Sequence, residues 1–278
     1  MDADALAALC AAAMPDEQLT SAELDRLCFG TNDGDADEVF GDDSGAAVMQ
    51  LQRFGAHLAA WLVLVAVHPD RQSQGVAKEL VRAVIDRATT LGAHDLLLAG
   101  AIPRYVWPGV DTANTRAGML LETLGFERDW VGTNMAIATG FRRPPPAGVL
   151  VERELGPGAH DFAADAYPHW IPELDRAVEL GTAFAARAAD GRTIGFSCHS
   201  VNRAGWIGPM ATDPTLQHGG VGSALLAALC ADLEARGIAT GEISWVSNLR
   251  FYGKCGARVS RVFLGGRKRL RREESDGK

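Results

Sequence analysis

The chain contains one stretch twice. Residues 61–88 read WLVLVAVHPDRQSQGVAKELVRAVIDRA, and residues 206–237 read WIGPMATDPTLQHGGVGSALLAALCADLEARG. Each opens on a Trp, runs apolar, and breaks at a Pro turn, Pro69 or Pro214. Gln72 and Gln217 follow, then Gly75 and Gly220, and each pair is 145 residues apart. Two places later stands a residue with almost no side chain, Ala77 or Gly222. A repeat of this length means two copies of one supersecondary unit. With 278 residues the chain is long for one domain and comfortable for two, so each copy has room for its own core.

The segment after each glycine has helical period. Val76, Leu80, Val81, Val84 and Ile85 share one face in the first copy, and Val221, Leu225, Ala228, Leu229 and Leu233 share one in the second. An apolar run then returns in each half, Leu96 to Leu98 and Ile243 to Val246, and reads as a strand. Strand, Gly-rich turn, helix, strand is an α/β unit with parallel neighbouring strands. Further on, NTRAGMLLETLGF and SNLRFYGKCGA each predict a short helix ending at a C-cap glycine, Gly125 or Gly256. The first copy carries extra residues in the loop IPRYVWPGVDTA.

Between the copies, Pro144, Pro145 and Pro146 can enter neither a helix nor a central strand. This run is the linker, and it divides the chain into residues 1–141 and 147–278. The second part opens with a strand, VLVEREL, a helical region from His160 to Leu180, and a hairpin turning at Asp190-Gly191. The first part has no evident counterpart of VLVEREL, and its weaker hairpin centres on DDSGAAVMQLQRF.

Composition removes several classes of function. A net charge of -8 argues against a nucleic-acid partner and suits a cationic small molecule. The basic run Arg267, Lys268, Arg269, Arg271 and Arg272 reads as a strand end and tail. Five scattered cysteines with no CxxC pair give no disulfide framework and no zinc site, and imply free thiols in a reducing cytoplasm. Cys255 is read as a packed structural thiol. No metal site is expected. The N-terminus carries acids where a signal peptide carries bases, and no apolar run reaches the length of a membrane span. The expectation is a cytoplasmic monomer or homodimer that meets neither membrane nor nucleic acid.

A glycine turn opening a helix leaves backbone N–H groups pointing outward, and the helix dipole adds positive potential there. Side chains would block close approach of an anion, hence Gly or Ala at positions 75, 77, 219, 220 and 222. GGVGSA lacks the Lys and Ser/Thr of a P-loop, and neither copy has the GxGxxG spacing of a dinucleotide fold. A tight turn without a ligand is the plain alternative, and its occurrence twice with the same Gln, Pro and Gly spacing weakens it.

These residues resemble the GNAT N-acetyltransferase superfamily and its tandem two-domain members. Gln72-Ser73-Gln74-Gly75-Val76-Ala77 and Gln217-His218-Gly219-Gly220-Val221-Gly222 both fit the family's acyl-CoA loop, and the downstream segments are similar to its Asn-x-x-Ala-x-x-Leu-Tyr-x-x-x-Gly-Phe helix. The fit is uneven. Asn114 and Ala117 match in the first copy, where Leu121 replaces the tyrosine; Tyr252 matches in the second, where Trp245 stands at the Asn position and Asn248 at the Ala position, and Asn248-Leu249-Arg250-Phe251-Tyr252 instead looks like a variant of the family helix with an Asn four residues before the Tyr.

The resemblance implies an α/β (α+β) fold of two tandem domains, each a mixed central sheet with helices on both faces. It implies acetyl-CoA as co-substrate and direct attack by the primary amine of a small molecule, such as an amino sugar or aminoglycoside, within a ternary complex. Met210, Ala211 and Thr212 would pair with the pantetheine, and Gln217 to Ser223 would hold the pyrophosphate, with Asn248 beside them. Tyr252 would protonate the departing thiolate as a phenol of ordinary pKa, near 10. Glu242 is the first candidate for the base that deprotonates the amine, and His199 the second. In the first copy Val65, Val67 and Gln72 to Ala77 would hold CoA. That domain is either degenerate for want of the tyrosine or itself catalytic, with Tyr105, Trp107 and Asp111 of the insertion lining a substrate pocket or packing an interface. A non-catalytic acyl-CoA-binding sensor is the alternative of a different class.

Overall fold

The computed structural model describes residues 1–32, 34–216 and 219–270. Gln217, His218, Arg271 and Arg272 lie outside the described residues. The chain forms two compact units, the first of residues Met1–Gly132 together with Val262 onward and the second of Thr133–Arg261. The strands Glu127–Ala138 and Arg258–Arg269 each contribute residues to both.

In unit 1, helices α1 (Ala3–Ala13) and α2 (Ser21–Cys28) are followed by short strands β1 (Thr31–Asn32) and β2 (Asp35–Ala36). Next come β3 (Glu38–Asp42), β4 (Gly45–Phe54), β5 (His57–Val67), α3 (Val76–Thr90), β6 (Asp95–Leu98), β7 (Val110–Asp111), α4 (Thr115–Thr123) and β8 (Glu127–Ala138). Local chemistry sets the helix starts. The Asp2 carboxylate accepts from Ala5 N–H at the head of α1, and Thr20 with Glu23 forms a capping box on α2. β3, β4 and β5 run antiparallel, and β5 pairs in parallel with β6. Two tight turns, after Asp42 and after Phe54, join the first three strands. α3 buries Leu80, Val81, Val84 and Ala88 on one face of the sheet, as its periodicity predicts. α1 and α2 cover the other face with Leu6, Leu9, Leu24 and Leu27.

Unit 2 repeats this plan with one more strand. Its elements are β9 (Leu150–Arg153), α5 (Gly158–Ala166), α6 (Ile171–Glu179), β10 (Ala183–Arg187), β11 (Thr193–His199), β12 (Trp206–Thr212), α7 (Val221–Ala235), β13 (Thr240–Ile243), α8 (Leu249–Lys254) and β14 (Arg258–Arg269). β9 to β12 are antiparallel, β12 and β13 parallel, and β13 pairs with the Met135–Ala138 end of β8. β9 is the VLVER segment that has no counterpart in the first half. α7 packs on one face, α5 and α6 on the other. In unit 1 the matching place beside β6 is taken by the far end of β14, where Arg267, Lys268 and Arg269 pair with Leu97, Leu96 and Asp95. The basic run is therefore structural here: Arg267 pairs with Asp129 at 2.7 Å, and Lys268 donates to the Leu124 carbonyl at the end of α4.

Three sequence expectations change. The strand expected over Ile243–Val246 ends at Ile243, because Trp245 takes a left-handed φ of 52° and its N–H is held by Asn134 Oδ1 at 2.9 Å. The short helices also align differently. Asn114 and Asn248 are both N-caps, each accepting from the N–H three residues on, so they correspond. The Ala-position match of Asn248 arises from counting back from the terminal glycine, since α8 has 6 residues and α4 has 9.

The insertion IPRYVWPGVDTA, third, is built into unit 1. Arg104 makes a two-pronged ion pair with Asp37, whose side chains are 13% and 0% exposed. Gln50 bridges the Leu27 carbonyl at 2.6 Å and the Ala101 N–H at 3.0 Å. Replacing Asp37 by Ala leaves the guanidinium buried and uncompensated. We expect a loss of about 3 kcal/mol in unfolding free energy, read from a lower denaturant midpoint.

Candidate functional site

Both halves open their sheet at the same register. β5 pairs with β6 from Ala59 to Leu62, and the Ala99 N–H reaches the Leu62 carbonyl as the last bond. β12 pairs with β13 at Trp206 and Ile207, and the Ser244 N–H reaches the Ile207 carbonyl. At that point each strand bulges. Register shifts by one residue between Leu62 and Leu64 opposite Val48–Met49, and between Ile207 and Met210 opposite Ser197–His199. A bulge increases local twist and turns a strand from its neighbour.

Peptide groups alternate in direction along a strand. His68 N–H bonds to Ser44 and Asp213 N–H to Ile194, on the antiparallel side. Alternation then points Val65 and Val67, and Met210 and Thr212, into the open side. Ala211 lies opposite Phe196 and turns to β11. Each half thus offers a free strand edge on which an extended ligand can add as another strand.

The edge leads to a helix start. Gly75 and Gly220 are the N-caps of α3 and α7, with φ of 88° and 92°. A side chain would strain the backbone at either place, and no side chain caps either helix. The N–H groups of a first turn left without a side-chain cap are donors that an anion can satisfy. Around Gly75, Gln72 donates to the Val67 carbonyl at 3.2 Å and accepts from Arg116 at 3.3 Å, while Arg71 donates to Gln74. Gln72 shapes the loop, and Ser73 holds φ 60° within it. In unit 2 it is Tyr167 that donates to the matching carbonyl, that of Thr212, at 3.2 Å.

The halves differ in charge and room. Arg71 and Lys78 flank the first loop where Leu216 and Ser223 flank the second. At the second loop, a Cβ on Gly222 would lie 3.3 Å from the Phe251 ring and 3.7 Å from Thr212. The corresponding pair in unit 1 is Ala77 and Ala117. Arg143, which sequence reading passed over, lines a groove with Pro144, Pro145, Val151 and the Ala224–Ala228 face of α7, and its charge acts on Cys255.

Tyr252 sits on α8 in the same apolar cluster as Met210 and Val221, edge-on to Phe251 at 4.8 Å. Burial, with a smaller contribution from Cys255, pushes its phenol up to about 12 rather than the ordinary value near 10 expected from sequence. The hydroxyl stays protonated throughout the neutral range. Cys255 is raised by burial too, and Cys10 and Cys230 are pushed to about 12 and about 11, which fits packed thiols.

The two base candidates are engaged elsewhere. Glu242 Oε1 accepts from Asn134 Nδ2 at 2.6 Å, and the same amide braces Trp245. Glu242 lies opposite Trp206, before the bulge. His199 is 0% exposed, with Nε2 2.8 Å from Asp232 and Nδ1 2.9 Å from Ser200. Burial lowers its pKa and outweighs the raising effect of Asp232. For Asp232 burial acts upward, but bonds from Arg153, His199 and Arg236 hold it at about 2. This Ser–His–Asp line is a clamp between β11 and α7. Of the insertion residues, Tyr105 is buried, Trp107 donates to Glu17 at 3.1 Å, and Asp111 accepts from Ala113 N–H while β7 pairs with β14. Trp107 ties the insertion to the segment between α1 and α2, and β7 ties it to β14, both within unit 1.

One buried acid escaped the sequence reading, since nothing singles out Glu173 in the helical stretch from His160 to Leu180. Its carboxyl is pushed by burial from 4.5 to about 7. The unfolded chain releases this proton at the lower value and the folded protein keeps it to the higher, so stability falls as pH rises from about 4.5 to about 7. Glu173→Gln is accordingly expected to be more stable than wild type by about 3 kcal/mol at pH 8, with the difference shrinking towards zero at pH 4.5. Urea midpoints at the two pH values read this directly.

The profile of the acetyltransferase (GNAT) family matches residues 42–126 and 152–257. No curated protein matches the chain. Among solved structures the chain is similar to the GCN5-related glucosamine N-acetyltransferase region of a fungal multi-domain GH3 β-N-acetylglucosaminidase, at TM-score 0.74 and 19% identity over 96% of this chain and 37% of that one. It is also similar to a GCN5-related N-acetyltransferase from Sphaerobacter thermophilus, at TM-score 0.65 and 20% identity over 98% and 93% of the two chains. A tandem GNAT protein from the clavulanic acid biosynthesis pathway aligns at TM-score 0.67 and 13% identity over 99% and 98%. These identities speak for fold. No helix among the described residues is long and apolar enough to cross a membrane. With one profile match in each half, and the opened sheet and glycine-started helix repeated in both, the chain belongs to the GNAT acetyltransferase family.

Proposed function

We propose that the protein is an N-acetyltransferase that moves the acetyl group of acetyl-CoA to the primary amine of a small molecule, in the cytoplasm, with its working site in unit 2. The observation that carries this is the free edge of β12, Met210 to Thr212, leading to the uncapped start of α7 beside Tyr252. The peptide groups of Met210 and Thr212 bind the pantetheine as an added strand and orient the thioester. Gly219 to Ser223, with Gln217 and His218 before them, receive the pyrophosphate, and Arg143 adds positive charge nearby. The amine nitrogen attacks the carbonyl carbon, the C–S bond breaks, and Tyr252 gives its proton to the leaving sulfur. The nitrogen loses its own proton to a base. Glu242 reaches that role only through its free oxygen.

A second reading has a specific support. Unit 1 has Arg71, Lys78 and Arg116 about its loop and small residues, Ala77 and Ala117, where unit 2 has Phe251 against Gly222. On this reading unit 1 holds acetyl-CoA as well, or instead. Calorimetric titration with acetyl-CoA decides the count: one site that survives Gly75→Glu supports unit 2, and one that Gly75→Glu removes supports unit 1.

A further inference from the structure

Glu173 has no role in the scheme above, yet its charge reaches Cys198 on β11, the strand paired with β12. It is 6% exposed on α6. Among the described residues nothing donates to its carboxylate, while its oxygens keep contact with accessible space. Its charge acts on Cys198 of β11. Cys198 lies between Ser197, paired with Met210, and His199, paired with Ile207, so it faces the Gly208–Pro209 bulge. One turn before Glu173 is Trp170, stacked on Tyr167 at 5.2 Å and edge-on to Phe196 at 6.4 Å. Tyr167 ties this ring group to Thr212 on the free edge.

A buried carboxylate without a cation is costly, and a carboxylate beside aromatic rings is what an ammonium group selects. We propose that Glu173 and the Tyr167–Trp170 wall bind the ammonium group of the acceptor, and that the acceptor is a monoamine with an apolar or aryl stem rather than a polyhydroxylated amino sugar. The inference rests on unit 2 as the transfer site. The rings decide the stem: Phe162, Tyr167 and Trp170 are partly buried and pack against the apolar cluster of Leu174, Ala177, Cys198 and Phe196, and such a wall offers few partners for sugar hydroxyls, which would be buried unsatisfied. Once the ammonium is bound, the carboxylate takes a proton from nitrogen, leaving the lone pair free to attack. Burial, which makes the carboxylate more basic, favours that transfer.

The test uses the full chain and 2-phenylethylamine, with glucosamine as the contrast. Amine binding is followed by calorimetry, and transfer by thiol release from acetyl-CoA. We expect wild type to prefer 2-phenylethylamine in kcat/KM by at least about 30-fold. Glu173→Gln, which keeps the side-chain volume and removes a buried charge, should weaken 2-phenylethylamine binding about 30-fold and leave acetyl-CoA affinity unchanged. Equal amine binding by wild type and Glu173→Gln, or preference for glucosamine, overturns the inference. The two readings fail separately. Glu173-dependent amine binding without thiol release supports this site and removes acetyl transfer. Thiol release indifferent to Glu173→Gln keeps acetyl transfer and removes this site.

Discussion

Tyr252→Phe is expected to lower kcat for acetyl transfer about 1000-fold while acetyl-CoA affinity stays within about twofold. That corresponds to about 4 kcal/mol of transition-state stabilisation, within the range of a positioned general acid. In the proposed scheme, cleavage of the thioester leaves charge on sulfur, and the Tyr252 hydroxyl on α8 supplies the proton. Phe keeps the ring that packs edge-on to Phe251, so the variant tests the proton and not the fold. Burial sharpens the expectation. With the phenol at about 12, the activity should show no basic limb near pH 10, where an ordinary tyrosine would begin to ionise. A Tyr252→Phe enzyme that turns over at the wild-type rate would move the chemistry to unit 1, where Leu121 replaces the tyrosine and another acid must be found.

The second large effect concerns the helix starts. Gly220→Glu places a side chain at φ 92° and a carboxylate where the first-turn N–H groups of α7 point outward. A Cβ there would also lie 3.4 Å from Pro146. We expect acetyl-CoA affinity at that half to fall more than about 1000-fold, because strain, steric block and repulsion of the diphosphate act together. Gly75→Glu does the same to unit 1 at φ 88°, where open space surrounds the added side chain. Loss of turnover on Gly220→Glu alone supports unit 2, and loss on Gly75→Glu alone supports unit 1. Alanine at each position reports the backbone strain separately from the charge.

Much of the architecture is legible in the sequence because it is local. The repeat, the two long helices, the Pro run and the Asp190-Gly191 hairpin follow from spacing, period and turn chemistry over a few residues. The features that make the site are not local. The bulges at Val63 and Gly208 are defined by register against β4 and β11, and no residue type announces them. The second strand ends early because Asn134, over 100 residues away, captures the Trp245 N–H. Counting back from Gly256 puts Asn248 at the Ala position, because α8 is shorter than α4 and everything before its C-cap shifts; only its place as N-cap pairs it with Asn114. Tyr105, Trp107 and Arg104 look idle on a loop until the tertiary fold sets Arg104 against Asp37. Glu173 is one acid among many in a helix until the fold buries it and brings its charge to bear on Cys198.

The central claim is acetyl transfer from acetyl-CoA to an amine, and amine-dependent thiol release tests it most directly. The purified 278-residue chain with acetyl-CoA and a panel of alkylamines, arylalkylamines, amino sugars and polyamines should release free thiol only when an accepted amine is present, with that amine gaining one acetyl group by mass. Tight acetyl-CoA binding with no thiol release and no acetylated product from any amine would contradict the account and leave an acyl-CoA-binding protein in its place.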